Sequence, residues 1–282
     1  MIARTDLIAE EQERHAETVT GAEVERNQYG DVVCERVKIC TQGAATILRR
    51  PIGTYYTVQF SAESLPNGKE TMQAIVRALT ELMPERYTNV LVVGLGNRSI
   101  TPDAVGPLTA DRILATRHID AETRKKLHPT RLRSVAVLAP GVLGKTGIEA
   151  IETVRGTSAR IRPDVIIVID ALAARHPERL CRTVQLCDTG ICPGSGVQNA
   201  RKEFSQATLG VPVIAIGVPT VVDVASLVAD LTDLPLPESA RNMMITPQNI
   251  DAAVIHSADM IAHALNLFLQ PDLDEKTLLQ LV

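Results

Sequence analysis

Two acids in this sequence, Asp103 and Asp170, stand where they could do chemistry. The first follows a strand-like run and a glycine turn, Asn89-Val90-Leu91-Val92-Val93-Gly94-Leu95-Gly96-Asn97, with Thr101-Pro102 directly ahead of it. The second ends the apolar run Val165-Ile166-Ile167-Val168-Ile169 and precedes Ala171-Leu172-Ala173. Acids at the carboxyl ends of two buried parallel strands can converge on one crevice, where open α/β sheets place their sites. Carboxylates held close share a proton, so that one serves as base and the other as acid, and they titrate as a unit. Each acid also has a structural role open to it. Thr101 can cap a helix starting at Pro102, which makes Asp103 a first-turn acid favoured by the helix dipole. Asp170, expected at a buried strand terminus, needs hydrogen bonds or a charged partner, and a neighbouring loop's N–H groups would satisfy it.

The other candidate sets are thinner. Gly94-Leu95-Gly96 lacks the third glycine of a dinucleotide fingerprint and reads as a tight strand exit. His15, His118, His128, His176, His256 and His263 fall in no metal-ligand spacing. Ser195, in Pro193-Gly194-Ser195-Gly196, has no nucleophile-elbow context. The glycine-rich loop 189–197 around it can instead offer backbone N–H groups to a carbonyl or a developing oxyanion. Gly144-Lys145-Thr146-Gly147 has the wrong upstream spacing for a phosphate loop. Asp223 follows a fourth strand as a third acid, with helix capping as its simplest role.

These residues must be positioned by a chain of 282 residues, a length that suits one α/β domain with an elaboration. Hydrophobic residues at 45% supply a large core, and with aromatics at 2% and no Trp it must be built from Val, Ile, Leu and Ala. A net charge of −4 and scarce aromatics argue against a nucleic-acid partner. The start of the chain shows no signal-peptide pattern, and no apolar run approaches the ~18 residues of a spanning helix, so no membrane partner is expected. Cys34, Cys40, Cys181, Cys187 and Cys192 form an odd set without a CxxC pair, which suits reduced thiols in a cytoplasmic compartment.

Along the chain, residues 6–20 are polar and read as a surface helix closed by Gly21. Segments 32–39, 45–48 and 55–60 read as strands of an antiparallel meander, a strand-rich elaboration over 21–68. Apolar residues at helical spacing predict a helix over 70–83. Strands at 90–93, 133–138, 165–169 and 212–216, separated by helical or loop stretches, predict crossover units in a mainly parallel sheet flanked by helices. Their runs are apolar on both faces, as strands covered on both sides require. A late helix spans 247–269, and 271–282 reads as a tail.

With those segments in place, the chain resembles the germination proteases of spore-forming bacteria, peptidase family A25. The resemblance is carried by Arg4-Thr5-Asp6-Leu7, by Gly94-Leu95-Gly96-Asn97 through Thr101-Pro102-Asp103 and Gly106-Pro107, and by Ala139-Pro140-Gly141-Val142. It continues through Asp170-Ala171-Leu172, Asp188-Thr189-Gly190, Pro193-Gly194-Ser195-Gly196-Val197, the stretch Leu209–Asp223 and Met243-Met244-Ile245-Thr246-Pro247. It implies a phosphorylase/hydrolase-like α/β fold across residues 1–282 and an atypical aspartic endopeptidase without a cofactor or metal, its catalytic acids falling on Asp103 and Asp170. It implies small acid-soluble spore proteins as substrates, a homotetramer, and a place in the cytoplasm of the forespore and spore core. It also implies a zymogen that cuts itself at Asp6-Leu7, with residues 1–6 as propeptide, and substrate binding by Gly190, Gly194, Ser195 and Gly196. The same core looks similar to hydrogenase-maturation endopeptidases, where acids at these two positions bind nickel together with a histidine that has no counterpart placed here. The chain departs from the family pattern at Cys192, where many relatives carry histidine, and in the short stretch from Asp230 to Met243.

Overall fold

In the computed structural model, which describes residues 5–15, 19–61, 68–120, 122–123, 132–194, 202–231, 240 and 243–281, nine strands form one sheet. They are β1 (Ala22–Tyr29), β2 (Val32–Ile39), β3 (Gly53–Gln59), β4 (Asn89–Gly94), β5 (Ser134–Leu138), β6 (Val165–Ala174), β7 (Thr183–Cys187), β8 (Val213–Asp223) and β9 (Met244–Ile245). The order across the sheet is β1-β2-β3-β7-β8-β6-β4-β5, with β9 added at the carboxyl end of β8. The principal helices are α1 (Ile8–Glu13), α2 (Gln42–Leu48), α3 (Lys69–Leu82), α4 (Val105–Ala110), α5 (Ala150–Ile161), α6 (Ile250–Leu269) and α7 (Glu275–Leu281).

The four strands β5, β4, β6 and β8 are parallel, as their unbroken apolar runs predict. Alternation along them sends successive side chains to opposite faces. Val90, Val92, Ile167 and Ile169 pack with α3 and α6 on one face. Leu91, Val93, Ile166 and Val168 pack with Ile151 and Val154 of α5 on the other. The fold is therefore α/β with helices on both faces of the sheet. The antiparallel strands β1, β2 and β3 continue the same sheet through β7, which runs antiparallel to both β3 and β8.

Several local readings are corrected. Residues 45–48 are the end of helix α2 rather than a strand. The Thr41 hydroxyl accepts the Ala44 N–H at 3.2 Å at its start, and Arg49, with φ 53°, ends it. A short apolar run does not by itself separate helix from strand, and here the cap decides. Gly21 permits that cap, because a Cβ there would lie 2.1 Å from the Thr41 hydroxyl oxygen. Among the described residues of the surface helix expected over 6–20, only α1 is helical, and Ile8, Ala9, Glu10 and Glu11 in it are buried. The tail contains α7, whose Leu278 is buried. Strand β1 is mostly exposed and polar, so it is held by pairing with β2 rather than marked by an apolar face. Helix α6 is long and apolar enough to cross a membrane by length and composition, but 56% of its apolar window is buried, as suits a core helix.

Candidate active site

Strand β4 stops at Gly94, opposite Ile169 of β6, and the chain turns back immediately. The Leu95 N–H donates to the Ile169 carbonyl at 2.8 Å, and α4 then lies directly over the β4 exit and the adjacent Ile169 of β6. That approach needs glycine on each side. A Cβ at Gly94 would be 2.1 Å from the Gly106 carbonyl oxygen, and one at Gly106 would be 2.5 Å from that of Ile169. The turn between them carries Asp103. Residues Thr101–Asp103 form a single 3-10 turn ahead of α4, so Thr101 caps no helix starting at Pro102, and its hydroxyl donates to Asp251 at 2.8 Å instead. The Asn97 N–H donates to the Asp103 carboxylate at 2.8 Å, and the buried Thr220 of β8 donates its hydroxyl to the Pro102 carbonyl at 2.7 Å. Asp103 is thus held between the β4 exit and β8, half-buried.

Asp170 does not end its strand. Strand β6 continues to Ala174 because β8 keeps pairing with it, through a register shift between Leu172 and Ala173. It is β4 that ends one residue short of Asp170, opening the crevice on that side. Asp170 is 4% exposed, and its carboxylate accepts the N–H of Ala171 at 3.0 Å.

The two aspartates line one cleft of about 490 Å³, together with Asp6, Leu95, Gly96, Pro102, Gly141, Glu149, Pro193, Gly194, Lys202 and Thr220. Gly194 of the glycine-rich loop therefore reaches the cleft. Gly190 does not, and lines an adjoining cavity of about 290 Å³ with Arg50, Gln185 and Cys192. Its glycine identity is structural: φ is 85°, and a Cβ would lie 2.0 Å from the Phe204 carbonyl oxygen. Ser195 and Gly196 lie outside the described residues. Asp223 is not on the cleft, and accepts the Ser226 hydroxyl at 3.2 Å. Among the described residues no group of three or more His, Cys, Asp or Glu side chains is placed to hold a metal ion.

The N-terminal segment enters the same place. The Asp6 N–H donates to the Ala173 carbonyl, and its carboxylate accepts the Ala173 N–H, each at 2.9 Å. Leu7 is fully buried against Leu172, Ala174, Leu180 and Val222. Asp6 and Leu172 line both cavities. Thr220, Gln185 and Glu10, which shape this region, carry no sequence signal of their own. Each is a polar residue in an ordinary context whose burial only the packing reveals.

The sequence profile of the germination protease family matches residues 2–243. The chain belongs to that family. It is a peptidase, and as a germination protease it is an endopeptidase of spore germination. The germination protease of Caldanaerobacter subterraneus subsp. tengcongensis is 36% identical over 99% of this chain and 98% of its own length. That of Clostridium perfringens strain 13 is 35% identical over 96% of each chain. That of Bacillus pumilus is 40% identical over 85% of this chain and 69% of its own. Among solved structures, a NiFe hydrogenase maturation protease from Thermococcus kodakarensis is similar with a TM-score of 0.41 and 17% identity, over 70% of this chain and 98% of that one.

Proposed function

We propose that this germination protease cleaves small acid-soluble spore proteins with Asp103 and Asp170 as a proton-sharing pair, and that it first cuts its own Asp6-Leu7 bond. The observation that carries this reading is the single cleft lined by Asp103, Asp170 and Asp6. One carboxylate takes a proton from water as its oxygen attacks the peptide carbonyl carbon. The other gives a proton to the amide nitrogen as the C–N bond breaks. The half-buried Asp103 is nearer solvent than Asp170, so water reaches it with less desolvation. Gly194, with Ser195 and Gly196 beyond it, would hold the substrate backbone, and Gly190 would support that loop on Phe204. Residues 1–6 act as a propeptide, of which Asp6 lines the cleft, and the enzyme works as a homotetramer in the cytoplasm of the forespore and spore core, without a cofactor, nucleic acid or membrane.

The test is mass spectrometry over time of the purified wild type beside Asp103→Asn and Asp170→Asn, with and without an added acid-soluble spore protein. Wild type is expected to lose Met1–Asp6 and to cut the added protein. Each variant is expected to do neither while unfolding at the wild-type temperature. Full activity in either variant would remove the pair from the mechanism.

A further inference from the structure

We infer that Gln185 is the residue that positions and polarises the peptide carbonyl at the cut bond, a role that rests on the reading of Asp6-Leu7 as that bond. The register of the sheet places it there. Gly217 of β8 lies opposite Asp170 of β6 on one side and opposite Gln185 of β7 on the other. Residues paired across neighbouring strands project from the same face, so Asp170 and Gln185 flank a position that has no side chain. A Cβ at Gly217 would lie 2.4 Å from Cδ1 of Leu172, the residue against which Leu7 packs, so a side chain here would displace Leu172.

Over this gap lies the N-terminal segment, and Gln185 brackets Leu7. Its Nε2 donates to the Asp6 carbonyl at 2.9 Å, while its Oε1 accepts the Ile8 N–H at 2.7 Å. The orientation of the carboxamide is settled by its partners, since a carbonyl can only accept and an N–H can only donate. The side chain thus imitates a strand partner for the peptide groups on either side of Leu7. Gln185 is 8% exposed, so these bonds form away from bulk water, where a donor aimed at a carbonyl is most effective. Arg50 extends the frame by one residue, donating from Nη2 to the Thr5 carbonyl at 2.6 Å. A carbonyl held in this way presents its carbon at a fixed angle and stabilises negative charge on its oxygen as water adds. When the C–N bond breaks, the charge leaves that oxygen and the donor keeps the new carboxyl group.

Two substitutions separate this role from mere anchoring of α1. Gln185→Glu keeps an acceptor for the Ile8 N–H but has no donor for the Asp6 carbonyl. Gln185→Met keeps the length and has neither. The measurements are the first-order rate of Asp6-Leu7 self-cleavage by mass spectrometry, the thermal unfolding midpoint, and kcat and KM on a synthetic peptide of residues 2–11. Both variants are expected to cleave more slowly by on the order of 10²-fold, with kcat rather than KM affected on the peptide. The Gln185→Glu midpoint is expected to fall, because its buried carboxylate faces the Asp6 carbonyl, so rates are compared well below it. Wild-type rates in Gln185→Glu would overturn the inference and leave Gln185 as an anchor, and they decide alone if Gln185→Met does not fold. If wild type leaves Asp6-Leu7 intact, the self-processing reading fails, and an unchanged kcat on the peptide would separately overturn the role of Gln185. Wild-type cleavage by Asp170→Asn would sink the aspartate pair and leave the Gln185 comparison standing.

Discussion

Glu10 is 1% exposed, and its two carboxylate oxygens are fully engaged. They accept the N–H groups of Arg175 at 2.8 Å and His176 at 3.0 Å, together with the Thr5 hydroxyl, and they face the buried guanidinium of Arg179. A charge at that depth is tolerable only because every neighbour is a donor. Removing it takes the Glu10 acceptor away from the N–H groups of Arg175 and His176 and leaves the buried Arg179 facing Glu13 and Gln59, a loss of charge-assisted bonds at depth. Glu10→Ala is therefore expected to cost about 3 kcal/mol of unfolding free energy, and Glu10→Gln less, because the amide oxygen still accepts one N–H. Equilibrium urea unfolding measures both. Glu10 was legible in the sequence only as one acid in a polar stretch, since its burial depends on residues more than 160 positions away: the Arg175 bond spans 165.

At the scale of elements, the unit that matters is the β4 exit, its glycine turn and α4. The two glycines that let α4 lie on the β4 end and on Ile169 of β6 also fix where the turn can go, and Gly96 sets its last degree of freedom. Its φ is 114°, and a Cβ would lie 2.1 Å from the Asp103 carbonyl oxygen and 2.9 Å from its Oδ1. The glycine-rich motif is thus a close-packing device under an aspartate, in keeping with its reading as a tight strand exit. Gly96→Ala forces a strained backbone and moves Asp103. The expectation is a fall in peptidase activity on the order of 10²-fold, with about 1–3 kcal/mol lost in stability. Activity assays beside thermal unfolding would show the two effects together, and activity lost without displacement of the melting curve would equally locate the damage at Asp103. The core strands could be read because β-branched runs apolar on both faces have no other stable placement. Helix α2 and strand β1 could not, because a cap and a pairing partner decide them.

Across the whole molecule, the starts of β4 and β6 are tied together by Asp164. Its carboxylate accepts the N–H groups of Thr88 and Asn89, each at 2.8 Å. The Thr88 bond first, then that of Asn89, holds this carboxyl below its usual range. A group with a depressed native value contributes stability that is present above its unfolded value and lost as pH falls through the native one. Urea midpoints of wild type and Asp164→Asn should differ at neutral pH and converge on acidification below the ordinary carboxylate range. By itself, the sequence determined the parallel centre of the sheet and the two aspartates beside it. Apolar runs must be buried, and a carboxylate that follows one must meet solvent or a partner at the strand's edge. Only the tertiary structure decided that β6 runs on past Asp170, that β7 joins the antiparallel strands to the core, and that Asp6 lines the cleft. The bond from Gln185 to the Asp6 carbonyl spans 179 residues, and such a contact depends on the pairing of whole strands, which local spacing does not encode.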